Sequence, residues 1–147
     1  MEKQILSIVM QNEESAIARL TDIFSAKGYS IENINAGTIN YDNNTSSITI
    51  TLYETKERID RLLLQLKRVI PVVDIKNISH HNVEKELVLI NMKIAPKEIF
   101  DKYKVKNIAE NVYELLDIPD KVDNLVKELN KIGCYNIVRS GVLAIGC

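Results

Sequence analysis

Apolar and polar positions in the first quarter of the chain change from the spacing of a strand to that of a helix. Residues 4–10 are rich in β-branched side chains and predict a buried strand. After a polar break, apolar residues recur at helical spacing and predict a helix over residues 16–27. Ser15 is the expected N-cap and Gly28 the expected residue after the helix end.

The next segments predict a hairpin, a second helix and a fourth strand. Residues 29–40 and 47–53 predict the two strands of the hairpin, with Thr49 and Thr51 on a face open to water. Residues 59–69 carry a clean apolar stripe, and residues 72–75 read as a short strand. The order β-α-β-β-α-β is that of the ferredoxin-like, or split βαβ, unit.

The second half predicts a shorter arrangement of the same kind. A helix is expected to begin near Pro119 and to end at Gly133. Between the first strand and the hairpin, only residues 97–101 are available for a helical turn. The predicted strands are 83–94, 103–108, 112–116, 137–138 and 142–145. We therefore expect an α+β chain with two ferredoxin-like domains, the second a trimmed variant.

A shift of 63 positions superimposes two of the predicted helices. The pattern Ile59-Asp60-x-Leu62-Leu63-x-x-Leu66 falls on Val122-Asp123-x-Leu125-Val126-x-x-Leu129. Any two amphipathic helices look partly alike, but here the flanking strands follow the same order as well. The polar segment at His80 separates strands, so we predict domains at residues 1–79 and 80–147.

Charge and composition exclude several classes of protein. The 147 residues include 19 Lys and Arg against 20 Asp and Glu, without the basic surplus that is typical of nucleic-acid binders. The apolar run at residues 5–10 is too short to span a membrane. Two cysteines, Cys134 and Cys147, form no disulfide framework and favour the cytoplasm, with Cys134 expected to be a small buried residue.

We find no set of residues that predicts catalysis or metal binding. Glycine-rich motifs for dinucleotides or triphosphates are missing from the sequence. His80 and His81 are adjacent and would point to opposite faces of an extended segment, which favours a surface linker over a metal pair. Glu84 and Glu86 have strand spacing, but acid–base chemistry needs a cleft, so a solvated strand edge is the favoured interpretation.

One loop has features that suit ligand binding. Asn12-Glu13-Glu14-Ser15 joins a strand to a helix N-terminus, where the N–H groups of Ala16 and Ile17 and the helix dipole can hold a carboxylate. The amide of Asn12 can donate and accept hydrogen bonds beside it. The loop could therefore hold the main-chain end of an amino acid; the alternative is an ordinary capped helix.

Several motifs together resemble the small subunit of acetolactate synthase, also called acetohydroxyacid synthase. The first half looks like an ACT domain. The motifs that carry this likeness are Ile5-Leu6-Ser7-Ile8-Val9, Asn12-Glu13 and Phe24-Ser25-x-x-Gly28-Tyr29-x-Ile31-Glu32. Val83-Glu84-Lys85-Glu86-Leu87 resembles the strand that begins the family's second domain, and Arg139-Ser140-Gly141-Val142 its closing segment.

This resemblance implies a regulatory subunit without catalytic residues or cofactors of its own. In the family, a large catalytic subunit carries thiamine diphosphate, magnesium and FAD, and makes the precursors of valine, leucine and isoleucine. The small subunit raises this activity and confers feedback inhibition, usually by valine. ACT domains of this kind form homodimers with a continuous sheet, and the effector lies between the strand–helix loop of one chain and the second strand of the other.

The family's effector-site pattern carries over unevenly. Asn12, Ala16, Ile17 and Ile31 match it. The family usually has Gly where this chain has Ser15 and Asn where it has Ser30. A Cβ crowds a close backbone approach, and a serine in place of asparagine removes an amide donor. We therefore expect valine binding to be weak, absent or retuned.

Three other functions compete with this interpretation. A stand-alone ACT sensor of amino acids could regulate another enzyme. RNA-binding RRM domains share the order of elements, but this chain has Thr and Ile where their stacking aromatics would lie. An enzyme on a ferredoxin-like scaffold would need a catalytic set of residues that the sequence does not offer.

Overall fold

The computed structural model describes residues 1–69, 71–133 and 135–147. Its contacts divide the chain into two compact units, residues 1–83 with 144–147 and residues 84–143. The domain boundary expected after residue 79 lies close to this division and stays a prediction. The expectation for Cys134 falls outside the described residues. Among the residues described, no helix is both long and apolar enough to cross a membrane.

The first unit has the predicted order of elements. Its strands and helices are β1 (Glu2–Gln11), α1 (Ala16–Ala26), β2 (Ile31–Asn40), β3 (Thr45–Glu54), α2 (Lys56–Leu66) and β4 (Val72–Asn77). The strands form an antiparallel sheet in the order β2-β3-β1-β4. This is the ferredoxin-like topology, with β2 and β4 at the edges.

Alternation along the central strands builds the core of the first unit. The even-numbered positions of β1 and β3 point to the side of the two helices, where Leu6 lies opposite Ile50 and Ile8 opposite Ile48. The helices contribute the fully buried side chains Leu20, Phe24, Ile59, Leu62 and Leu66. The predicted apolar stripes of both helices are therefore confirmed.

The expectation of a wet face along β3 is wrong. Thr49 and Thr51 are only 4% and 2% exposed, whereas Tyr53, at the end of the strand, is 53% exposed. The register sets Thr51 between Ile5 of β1 and Asn33 of β2. Side chains of the neighbouring strands flank a central strand on both sides, so polarity alone did not predict exposure there.

The second unit repeats the topology of the first. Its elements are β5 (Asn82–Asn91), α3 (Lys97–Tyr103), β6 (Lys106–Ala109), β7 (Val112–Asp117), α4 (Pro119–Ile132) and β8 (Asn136–Arg139). The last strand, β9 (Leu143–Gly146), begins at the end of this unit, and its residues 144–146 belong to the first unit. The sheet order is β6-β7-β5-β8, and β9 pairs with β5. Tyr103 ends α3 and does not begin a strand, so the predicted strand over residues 103–108 is wrong at its start. The second unit is shorter in α3, with 7 residues against 11 in α1, and in its hairpin strands β6 and β7, with 4 and 6 residues against 10 each in β2 and β3.

Matching details support an internal repeat. The apolar helix positions that coincide after a shift of 63 residues are all fully buried. They are Ile59, Leu62 and Leu66 in α2 and Val122, Leu125 and Leu129 in α4. In each unit, the residue after the first strand donates a backbone hydrogen bond to an asparagine in the hairpin turn. Asn12 donates to Asn44 at 2.8 Å and Met92 donates to Asn111 at 3.0 Å. Both turn asparagines have positive φ.

An ion-pair cluster ties β5, β8 and α4 together. Glu86 is only 1% exposed, so the expected solvated strand edge is wrong for this residue. Its two carboxylate oxygens accept from Arg139 at 2.7 and 2.8 Å, and Arg139 also donates to Asp123 at 2.6 Å. These hydrogen bonds, first to Glu86 and then to Asp123, raise the pKa of the Arg139 guanidinium. Glu86 shares the inward face of β5 with Val88, which places its carboxylate inside.

We expect Arg139→Met to destabilise the protein strongly, because it leaves the Glu86 carboxylate buried without its cation. The free energy of unfolding, measured by urea titration, should fall by about 3 kcal/mol. The double variant Glu86→Leu/Arg139→Met should recover most of this loss, since it removes both buried charges. Arg61→Met, at an exposed arginine of α2, is the matched control. A loss below about 1 kcal/mol for Arg139→Met would show that the pair acts like a surface ion pair.

Candidate functional site

Asn12 is anchored by the β2–β3 hairpin. Its side-chain Nδ2 donates to Asn44 Oδ1 at 3.1 Å and to Thr38 Oγ1 at 3.4 Å, and its Oδ1 accepts from the Ser46 hydroxyl. Its carbonyl accepts from Asn44 Nδ2 at 3.0 Å. The side chain therefore fixes the loop to the hairpin, which the sequence analysis did not foresee. Asn44 in the predicted turn was the only signal for these partners.

Ser15 occupies the N-cap position of α1 but does not cap the helix. Its backbone is left-handed, with φ 63° and ψ 14°, and its hydroxyl makes no capping hydrogen bond. Capping serines usually have extended backbone, which aims the side chain at the first-turn N–H groups. The expected cap is therefore wrong. A glycine would adopt this conformation without the cost that a Cβ imposes.

The first turn of α1 presents one buried and one exposed apolar residue. Ala16 is 5% exposed, and its N–H donates to the Glu13 carbonyl at 3.1 Å. Ile17 is 47% exposed. The Glu13 carboxylate pairs with the Arg19 guanidinium at 3.0 Å, and both side chains are about half exposed. Their ion pair therefore lies on the surface. The N-terminal end of α1 is thus open to solvent beside an exposed isoleucine.

Ser30 and Ile31 lie at the other end of the same sheet. Ile31 pairs with Leu52 of β3, which pairs with Gln4 of β1, whereas Asn12 follows directly after Gln11. Seven residues of extended strand separate Gln4 from Gln11, which is about 23 Å. One chain therefore brings together Asn12, Ser15, Ala16 and Ile17 and keeps them apart from Ser30 and Ile31.

The arrangement offers chemistry for ligand binding. The helix dipole and the first-turn N–H groups after Ala16, whose own N–H donates to Glu13, suit a carboxylate, and Ile17 offers an apolar contact beside them. Within residues 1–69, 71–133 and 135–147, no cluster of His, Cys, Asp or Glu has the geometry of a metal site. The six predicted site residues fall into two groups, the predicted half-sites, at opposite ends of β2.

Comparisons with known proteins agree with the resemblance in the sequence. Residues 6–74 match the model of the AHAS small subunit-like ACT domain, where AHAS is acetohydroxyacid synthase. The chain is 23% identical to a probable acetolactate synthase small subunit of Archaeoglobus fulgidus, over 97% of this chain and 96% of that one. It is 27% identical to an acetolactate synthase small subunit of Buchnera aphidicola, over 99% and 98% of the two chains.

The fold has a close counterpart among solved structures. The crystal structure of the acetolactate synthase small subunit from Thermotoga maritima matches with a TM-score of 0.86 at 18% identity, covering 100% of this chain and 98% of that one. The predicted α+β fold with two ferredoxin-like domains is thereby confirmed, and so is the resemblance to acetolactate synthase small subunits.

We expect Ser15→Gly to stabilise the first unit, because glycine adopts the left-handed conformation of this position without a Cβ penalty. The free energy of unfolding should rise by about 1 kcal/mol. Ser30→Gly is the matched control, since Ser30 is exposed and is not among the residues with positive φ. There glycine should be neutral or should lower stability. Equal effects of the two substitutions in thermal unfolding would contradict this account.

Proposed function

Because residues 6–74 match the model of the AHAS small subunit-like ACT domain, we propose that the chain is the non-catalytic, cytoplasmic regulatory subunit of acetolactate synthase. It would bind the catalytic subunit, which holds thiamine diphosphate, magnesium and FAD, and raise its activity in the synthesis of valine, leucine and isoleucine. The observation that carries this proposal is the similarity to acetolactate synthase small subunits over 97–99% of the chain.

The two half-sites support a homodimer through the ACT domains. β2 is an edge strand of its sheet, and Ile34 and Ile39 on it are 36% and 59% exposed. Antiparallel pairing of β2 with β2 of a second copy, centred between Asn35 and Ala36, sets Ile31 of one copy opposite Asn40 of the other. Asn40 pairs with Thr45, at the end of the sheet where the Asn12 loop lies. Such pairing brings the half-sites of two chains together.

The effector of this joint site is a branched-chain amino acid. Its carboxylate would be held at the start of α1, and its aliphatic side chain would contact Ile17 of one copy and Ile31 of the other. Ser15 and Ser30 flank these groups. Each lost polar contact costs about 1–3 kcal/mol, so the two departures from the family pattern weaken valine binding or change the preferred amino acid.

We expect the chain to raise acetolactate formation when it is added to the catalytic subunit of its own enzyme. The assay compares the catalytic subunit alone with the reconstituted complex, with and without valine, leucine and isoleucine. Stimulation with weak or no valine inhibition is the expected result. No stimulation at any subunit ratio would contradict the proposal and would favour a stand-alone amino-acid sensor.

The variant Ser15→Gly/Ser30→Asn should increase valine sensitivity, and micromolar valine affinity of the unmodified chain would refute the roles of these serines.

We expect Ala36→Glu to dissociate the homodimer, because two copies would place like charges close to the two-fold axis at the centre of β2. Sedimentation velocity should then show a monomer. Ala109→Glu is the matched control, since Ala109 is an exposed alanine on the edge strand of the second unit. It should leave the dimer intact. A dimer that persists with Ala36→Glu and dissociates with Ala109→Glu would place the interface on the other unit.

A further inference from the structure

The ends of α1 and α3 are equivalent positions in the internal repeat. Tyr29 donates its backbone N–H to Phe24 at 2.8 Å, and Val105 donates to Phe100 at 2.9 Å, so each helix ends with the same six-residue turn. The residue before each donor is left-handed: Gly28 with φ 75° and Lys104 with φ 59°. Val105 therefore stands where the first unit has Tyr29, and Lys104 where it has Gly28.

In the first unit, aromatic and cationic side chains fill the space between this turn and the start of α2. The Tyr29 hydroxyl donates to the Arg58 carbonyl at 2.8 Å, and the Arg58 guanidinium lies 4.5 Å from the centre of the Tyr29 ring. Arg58 also donates to the Lys27 carbonyl at 3.2 Å and pairs with Glu54 at 3.2 Å. The end of α1 is thus closed against α2.

The second unit has a cavity at the equivalent place. Lys121 corresponds to Arg58 and Asp117 to Glu54 after the shift of 63 residues, and the two pair at 3.8 Å. The smaller Val105 takes the place of the tyrosine. A cavity of about 500 Å³ opens here, lined by Lys102, Tyr103, Lys104, Asp117 and Lys121 with two leucines of β7.

Positive charge dominates the lining of this cavity. The charged residues of the lining are three lysines and one aspartate, Asp117, which pairs with Lys121. Lys102 also pairs with Glu128, which lies outside the lining, at 3.2 Å, and this hydrogen bond and charge raise the pKa of Lys102. Lys104 occupies a left-handed position at which glycine, as in the first unit, would be less strained. The chain thus keeps a cation at a position where the backbone favours glycine.

We propose that this cavity in the second unit binds a small dianion, a phosphate or a dicarboxylate, through Lys102, Lys104 and Lys121. Two or three ammonium groups around one cavity form charge-assisted hydrogen bonds to an anion of this kind. The site is separate from the half-sites of the ACT domain and does not depend on their ligand.

The test titrates the full-length chain with inorganic phosphate and, separately, with malonate, at low ionic strength, following backbone amide resonances by NMR. We expect saturable shifts at Lys102, Lys104 and Lys121 with at least one of the two anions. The anion that binds tells phosphate chemistry from carboxylate chemistry. Shifts that stay linear with both anions up to high millimolar concentrations would overturn the proposal.

The variant Lys104→Gly separates binding from folding. It restores the residue found at the equivalent position of the first unit, so its stability should match or exceed that of the unmodified chain. Its anion affinity should fall by about tenfold, the loss of one charge-assisted hydrogen bond. Lys93→Gly, at an exposed loop lysine outside the cavity, is the matched control and should retain affinity. Equal losses in both variants would show only nonspecific attraction to net charge.

Discussion

The antiparallel register of β1, β3 and β2 is the constraint on which the proposed regulatory site depends. It places Gln11 opposite Thr45 at one end of the sheet and Ile31 opposite Leu52 at the other. Because β2 runs the whole length between these ends, its two ends would carry different halves of the proposed binding site. A single ACT domain would then hold only half of the groups around an effector. Regulation and dimerisation would become one property of the edge strand, since the effector would bind where two copies meet.

The internal repeat shows which features of the fold are general and which are particular to one unit. Both units keep the sheet order, the buried helix positions and the hydrogen bond from the first strand to the hairpin asparagine. They differ where side chains meet solvent, as at the helix end that carries Tyr29 in one unit and Val105 in the other. Packing requirements thus account for what is shared. The differences lie at helix ends and edge strands, where a change of side chain costs little stability and can alter what the unit binds.

Periodicity predicted α1, α2 and α4 because an apolar stripe reports directly on which side of a helix is buried. It failed for Glu86 and Thr51, since their burial depends on partners distant in sequence, Arg139 for one and the strands flanking β3 for the other. Ser15 was predicted as a cap from its residue type, which does not report the left-handed backbone that removes the cap. The six predicted site residues came from family motifs. Only the register of β1, β3 and β2 revealed that they lie in two groups at opposite ends of β2.

The hydrogen bonds of Asn12 reduce the number of polar groups in this loop that an effector could use. Its amide already serves Asn44, Thr38 and Ser46, so a ligand that used it would have to break hydrogen bonds that hold the loop to the hairpin. The N–H groups at the start of α1 carry no such bond from the Ser15 side chain. In the proposed site, recognition of the main-chain end of an amino acid would therefore fall on the first-turn N–H groups after Ala16, whose own N–H donates to the Glu13 carbonyl. The Cβ of Ser15, at its left-handed position, borders the same N–H groups, so this one residue affects both the strain of the loop and the room for the ligand.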